Sequence, residues 1–301
     1  MIVEDFIRYM QAERESSPLT VRTYEQALRE YAEYLTGLDD VTIESADADI
    51  IRDWIEEMMD RGNKASTVCK YLSAVKSLYR YALRMGFVTR DPAHGVRGPK
   101  KEKSLPVFLK EREADRLFDE LEWDMENIKD VRARTLLLLL YSTGIRRAEV
   151  IGLRDSDIDL HRHELKVTGK RRKQRIVPLG EEITAELQRY MALRDSEEQA
   201  GHGTDSNGSL FRDGKGKAMS ISAVYDIVHH YLSLVTTQKK RSPHVLRHSF
   251  ATAMLNNDAR LGSVQKLLGH ESLTTTQVYT HVTFKDLKRT YSLAHPRESQ
   301  K

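Results

Sequence analysis

Residues 157–178, DIDLHRHELKVTGKRRKQRIVP, are where the periodicity of this chain changes. On either side of them apolar residues recur at helical spacing. Within them, Asp157–Leu160, Glu164–Thr168 and Gln174–Pro178 are short alternating runs separated by turn residues, and each reads as a strand. A single small antiparallel sheet set among helices makes the protein mainly α (α+β). Working outward, helices are predicted at Glu111–Leu121, Val131–Ser142 and Arg147–Leu153 before the strands. After them, helices are predicted at Glu181–Arg194, Ser220–Val235, Pro243–Asn256, Leu261–Leu268 and Thr283–Ala294. The Gly-, Ser- and Asp-rich stretch Gln199–Ser209 reads as a mobile loop.

The N-terminal part is purely helical in pattern. Four helices are predicted: about Val3–Glu15, one from about Thr20, about Asp47–Met59, and about Ser66–Arg84. Ser16-Ser17-Pro18, Gly37–Asp40, Arg61-Gly62-Asn63 and Gly86 break them. The segment Asp91–Pro106 (DPAHGVRGPKKEKSLP) has no periodicity and carries three prolines, two glycines and a basic cluster. The expected organisation is an N-terminal domain over 1–88, a basic linker over 89–106, and a second domain over 107–301.

The 301 residues are 40% hydrophobic and 31% charged, which excludes collagen-like, low-complexity and largely disordered chains. The longest apolar run, Leu136–Tyr141, falls far short of the roughly 20 residues that cross a bilayer. The start, MIVEDFIRYM, is acidic where a secretion signal is basic. The single cysteine, Cys69, excludes a disulfide framework and a cysteine-clustered metal site. A cytoplasmic protein with no membrane partner is expected.

The net charge of +3 hides an asymmetry. Residues 1–60 carry 16 Asp/Glu against 5 Lys/Arg, and residues 61–110 carry 12 Lys/Arg against 2 Asp/Glu. Such a split fits one wall facing a polyanion and another facing water. An acidic helix neutralising a solvated basic one fits the same numbers. The fourth helix is the informative one. Val68, Leu72, Val75, Tyr79 and Ala82 form an apolar stripe, whereas Lys70, Ser73, Ser77, Arg80 and Arg84 form a polar, cationic one. The second stripe suits a DNA groove, with Lys64, Ser66 and Thr67 at the helix start adding phosphate contacts. Lys100 and Lys101 extend the basic surface into the linker.

Four islands carry candidate chemistry. In Thr143-Gly-Ile-Arg-Arg-Ala-Glu149, Arg146 could grip a phosphate while Glu149 steadies it; a surface ion pair within one helix is the alternative. Thr168-Gly-Lys-Arg-Arg-Lys-Gln-Arg175 is a basic hairpin tip. Its Arg171, Arg172, Lys173 and Arg175 suit DNA, and a lysine there could protonate a leaving alkoxide; a solvated turn with no specific role fits equally. In Pro243-His-Val-Leu-Arg-His248, His244, Arg247 and His248 share one helix face. A metal reading of that histidine pair lacks the glutamate of a HExxH zincin, and the arginine opposes a cation, so an anion site is preferred and no metal is assigned. In Leu268-Gly-His-Glu-Ser-Leu-Thr-Thr-Thr-Gln-Val-Tyr279-Thr-His, Gly269 ends a helix and Tyr279 lies among polar neighbours, unlike Tyr24 and Tyr31 on their apolar stripe. A tyrosyl oxygen facing a cationic pocket can serve as a nucleophile.

In this order along the chain, TGIRRAEV, HVLRHSFAT and LGHESLTTTQVYTHV resemble the signatures of the tyrosine recombinase (phage integrase) family, and the ending AHPR (294–297) is similar to its Xer type. The resemblance covers nearly the whole chain. It implies an N-terminal four-helix, SAM-like core-binding domain and a C-terminal catalytic domain of the DNA breaking–rejoining enzyme fold. It also implies the catalytic set Arg146, Lys170, His244, Arg247, His270 and Tyr279, working without a cofactor. One departure is Arg171, where Xer-like hairpins commonly have glycine after the lysine; Lys170 is chosen over Lys173 by its place after Gly169. The implied partners are a double-stranded recombination site, a cyclic tetramer with itself or a paralogous recombinase, and a septal DNA translocase. The C-terminal helix, Phe284–Leu293, would dock on a neighbouring protomer, and Tyr291 within it is the nearest rival nucleophile. Chromosome-dimer resolution, integration of a phage or mobile element, and non-catalytic DNA binding all stay open at this point.

Overall fold

The computed structural model describes residues 2–12, 16–38, 41–100, 107–169, 173–199, 208–269 and 284–297. The chain divides into two compact units, Met1–Ser104 and Leu105–Lys301.

The first unit holds α1 (Ile2–Ala12), α2 (Pro18–Thr36), α3 (Ala48–Asp60) and α4 (Ala65–Met85). Their ends follow local chemistry. The Ser17 hydroxyl accepts from the Thr20 N–H, with Pro18 in the first helical position. The Asp47 carboxylate accepts from the N–H groups of Asp49 and Ile50. Gly86 closes α4 at φ +78°. The α4 stripe Val68, Leu72, Val75, Tyr79 and Ala82 is buried against Phe6, Leu28, Tyr31 and Trp54. Inside this core the Tyr79 hydroxyl lies 3.1 Å from that of Tyr31 and donates to the Ile43 carbonyl at 2.9 Å.

The segment expected to be a linker, 89–106, is packed on this unit through Pro99. Ala93 and Val96 are buried in its core, and the Cys69 thiol donates to the Pro99 carbonyl at 3.3 Å. Two small apolar side chains in a polar run are enough to pin it. Residues 101–106 lie outside the described residues.

The second unit opens with α5 (Glu111–Asp115), which runs into a π-helical turn over Arg116–Glu120. Next come α6 (Ile128–Thr143), α7 (Arg147–Ile151), β1 (Ile158–Asp159), β2 (Glu164–Thr168), β3 (Gln174–Pro178) and α8 (Glu181–Gln199). The unit ends with α9 (Ile221–Val235), α10 (Pro243–Asn256), α11 (Leu261–Leu268) and α12 (Phe284–Ala294). The sheet is antiparallel in the order β1-β2-β3, with Leu165 opposite Val177 and Val167 opposite Arg175. Leu136–Leu140 are buried all round α6, so this helix forms the axis on which α8 and α10 pack. Of the loop expected at 199–209, residues 200–207 lie outside the described residues.

In the single chain, the partners of the helix α12 are internal. It docks within its own unit: Tyr291 and Ala294 are buried in the core, and Tyr291 stacks on His295 at 4.9 Å. Beyond it the Arg297 guanidinium donates to Asp119 at 2.7 and 3.1 Å and to Glu182 at 2.8 Å.

Candidate active site

The site begins where α6 ends. Gly144 has φ +61°, and a Cβ there would sit 2.5 Å from a Phe250 ring carbon and 2.7 Å from a Leu268 methyl. Only glycine lets the chain turn this close to α10 and α11. Two residues on, Arg146 is the extended residue that caps α7, rather than a residue inside the helix. Its backbone N–H donates to Glu149 Oε2 at 2.8 Å. Its Nη1 donates to Glu149 Oε1 at 3.0 Å, and its Nη2 to the Gly269 carbonyl at 3.0 Å.

Arg247, on α10, is 7% exposed. Its Nη1 donates to the Gly144 carbonyl at 2.6 Å and its Nη2 to the Leu268 carbonyl at 2.9 Å. A third guanidinium comes from β3. Arg175 donates from Nε to the Leu267 carbonyl at 2.8 Å, and from Nη1 and Nη2 to the two oxygens of Glu149 at 2.9 and 2.8 Å. Arg175, Arg247 and Arg146 therefore hang from three successive carbonyls, Leu267, Leu268 and Gly269. These are the carbonyls an α-helix leaves without internal partners, at the negative end of its dipole. Gly269 stands at φ +65°, and a Cβ on it would press 3.0–3.2 Å against the Arg175 guanidinium.

The electrostatics follow from this packing. Two guanidinium groups grip one buried carboxylate and a third, Arg247, feels its charge, which leaves the cluster cationic and suited to an anion. Burial, and then the charge of Arg146, pulls Arg247 down to about 10, so it stays charged at neutral pH. Burial pushes the Glu149 carboxyl up, but hydrogen bonds from Arg175 and from the Arg146 backbone outweigh it and hold the group below its ordinary value. His244, exposed in the first turn of α10, is pushed down by partial burial and then by His248, Arg247, Arg147 and Arg146. A neutral His244 can accept a proton at neutral pH.

Of the six expected catalytic residues, the structure brings Arg146 and Arg247 onto one turn and places His244 one helical turn before Arg247. Lys170, His270 and Tyr279 lie outside the described residues, as do Arg171 and Arg172. The Gly169 N–H donates to the Lys173 carbonyl at 2.8 Å, and Lys173 is exposed. Tyr291, the rival nucleophile, is 1% exposed in the core, which removes it from consideration. Burial also pushes the Tyr79 phenol up to about 12. Among the described residues no group of three or more His, Cys, Asp and Glu side chains could hold a metal ion.

The expected DNA face separates into two kinds of residue. Lys64, Ser66, Lys70, Ser73, Arg80 and Arg84 are exposed on α4, Thr67 is half-buried, and Lys100 is exposed beyond it. Arg84 also lies 4.5 Å over the Tyr9 ring. Lys101 lies outside the described residues. Two assignments are corrected. Ser77 is buried and accepts from Arg80 Nη2 at 3.1 Å, because Ala74, Leu78 and Tyr81 widen the buried face of α4. Arg175 points inward, as described above. In the sequence, only the glycine that ends α11 marks the carbonyls at its end.

The match to known proteins is extensive. Residues 107–286 match the phage integrase family, and residues 3–86 match the phage integrase N-terminal SAM-like domain. Tyrosine recombinase XerC of Chlorobaculum tepidum is 38% identical, covering 97% of this chain and 94% of that protein. Tyrosine recombinase XerD of Staphylococcus epidermidis is 34% identical, covering 98% of this chain and 99% of that protein. The fold is similar to that of XerH site-specific recombinase in its post-cleavage complex with a palindromic difH substrate. That likeness has a TM-score of 0.72 at 22% identity and covers 97% of this chain and 84% of the other.

Proposed function

The chain belongs to the phage integrase family and is a site-specific tyrosine recombinase; on that premise we propose that Tyr279 attacks a scissile DNA phosphate, giving a 3′-phosphotyrosyl link and a free 5′-hydroxyl. The Tyr279 oxygen bonds to phosphorus as the bond from phosphorus to the 5′-oxygen breaks. His244 takes the phenolic proton, and Lys170 supplies one to the leaving 5′-oxygen. Arg146, Arg247 and His270 hold the non-bridging oxygens and stabilise the charge that builds there. The 5′-hydroxyl of a partner strand then reverses the step. A tyrosine near its ordinary pKa of about 10 is a weak nucleophile, which is why the surrounding cations matter. The covalent link conserves the ester, so the cycle needs no external energy source.

One observation supports this reading most. Arg146 and Arg247, which come from different helices, donate to the adjacent carbonyls of Gly269 and Leu268, and His270 is the next residue. The experiment is a suicide DNA substrate run on a denaturing gel. Tyr279→Phe should bind DNA and form no covalent band; a retained band excludes Tyr279 as the nucleophile.

The full-length likeness to XerC and XerD proteins supports a housekeeping role in resolving chromosome dimers at cell division. Four protomers, of this chain alone or with a paralogue, would assemble cyclically on two recombination sites in the cytoplasm, under control of a septal DNA translocase. Among the described residues no helix is long and apolar enough to cross a membrane. Sequencing the DNA bound in cells tests the role: one locus near the replication terminus is expected, and binding at the ends of a mobile element overturns it.

A further inference from the structure

The geometry points to Arg175 as a positioning residue for strand cleavage, one that fixes the Arg146 guanidinium through Glu149 and the last turn of α11. This assignment rests on the catalytic reading of Arg146 and Arg247 above.

Arg175 lies opposite Val167 on the inner face of the sheet, and its side chain is 15% exposed. All three of its side-chain nitrogens donate inward: Nη1 and Nη2 to Glu149, which also holds Arg146, and Nε to the Leu267 carbonyl, next in the chain to the Leu268 carbonyl that holds Arg247. Glu149 is shared. Its Oε1 accepts from both Arg146 Nη1 and Arg175 Nη1, and its Oε2 from the Arg146 backbone and Arg175 Nη2. With both oxygens occupied by Arg175, the carboxylate cannot turn to grip the Arg146 guanidinium through two bonds and neutralise it. Arg146 keeps one bond to Glu149 and one to Gly269, and the rest of its fork is left for a substrate oxygen. The bond to the Leu267 carbonyl steadies the same turn from beneath. Gly269 makes room for the guanidinium, since a Cβ would meet it at 3.0 Å. A lysine could not replace this fork, because an ammonium on a flexible stem cannot hold both oxygens of a carboxylate and a separate carbonyl in one fixed plane.

The test compares wild type, Arg175→Lys and Arg175→Ala on a nicked suicide duplex, with single-turnover cleavage, DNA affinity at several salt concentrations and thermal melting measured in parallel. Arg175→Lys should remain folded at the assay temperature, bind DNA as wild type does and cleave roughly 10- to 100-fold more slowly, the scale of loss when a reacting group is misplaced by about 1 Å. A DNA contact would instead lower the slope of log affinity against log salt by about one. The same duplex with an uncharged methylphosphonate at the scissile position separates positioning from general structural damage. With less charge to stabilise, the gap between variant and wild type should narrow, whereas a damaged fold slows both substrates equally. Combining Arg175→Lys with Glu149→Gln should cost less than the sum of the two changes. A wild-type cleavage rate in Arg175→Lys, a lowered salt slope, or an equal loss on both substrates overturns the assignment and leaves the cleavage reading standing. If wild type itself forms no covalent complex, the cleavage reading falls and takes the assignment with it.

Discussion

The cations of α4 and those gathered around Glu149 are accommodated by the fold in opposite ways. Lys64, Lys70, Arg80 and Arg84 stand exposed on one strip of a helix whose other faces form the core of the first unit. Their charge is solvated and costs little to maintain, and none needs a dedicated partner to be stable there. Arg247 and Arg175 are largely buried, and each is held by a carboxylate or by carbonyls from a different element. A buried guanidinium is tolerated only when such partners are built around it. In return its direction is fixed and the local field is strong, which is what stabilising a transition state requires. On the proposed reading, surface charge would set where and how tightly the chain meets DNA, and caged charge how fast the phosphate reacts.

Four measurements can break or sharpen that contrast. The largest effect is expected from Arg247→Ala, which should slow cleavage by roughly 10²- to 10³-fold while DNA affinity changes little. Equal losses in rate and affinity would erase the distinction between caged and solvated cations. Next comes a pair of glycines that both end helices at positive φ. Gly86→Ala meets open space and should cost about 1 kcal/mol of backbone strain. Gly144→Ala adds a clash with Phe250 and Leu268 and should cost about 1–3 kcal/mol more, with cleavage impaired as well. Calorimetry of the two variants checks the order, and a larger loss at Gly86 would reverse the account.

The third effect is on pH. Glu149 has its carboxyl held below the ordinary 4.5 in the folded state. Its contribution to stability is complete above that value and is lost as pH falls through the lower, folded one. Melting of the wild type should therefore fall more steeply below pH 4.5 than melting of Glu149→Gln; parallel curves would show that the carboxylate is not caged. The smallest effect belongs to α4. Arg80→Ala and Lys70→Ala should each lower the salt slope by about one and leave cleavage at saturating DNA unchanged. Ser77→Ala should leave that slope alone, since its hydroxyl is buried.

Much of this molecule is legible locally. Helix ends follow from Ser17, Asp47, Gly86, Gly144, Ser220 and Pro243, because caps and left-handed stops act within a few residues. The islands bearing Arg146, His244 and Arg247 stand out because cations beside glycine or proline at a helix boundary are an unusual arrangement for a solvated face. Ser77 misleads because spacing along α4 marks a shared face without showing how wide the buried sector is. The stretch before Lys100 misleads because composition gives no hint that Ala93 and Val96 find a surface to cover.

Residues 175 and 176 mark the boundary between the two kinds of information. Alternation along β3 requires them to point to opposite faces, and an isoleucine beside an arginine suggests that the isoleucine goes inside. The fold does the reverse: Ile176 is 44% exposed and Arg175 is turned in. Its partners are Glu149, 26 positions earlier, and the Leu267 carbonyl, 92 positions later. The amino-acid order alone determined the elements, their ends and the supply of cations. Which cations are enclosed was decided by long-range packing, because enclosing a guanidinium is favourable only once groups from remote parts of the chain have assembled to satisfy its hydrogen bonds.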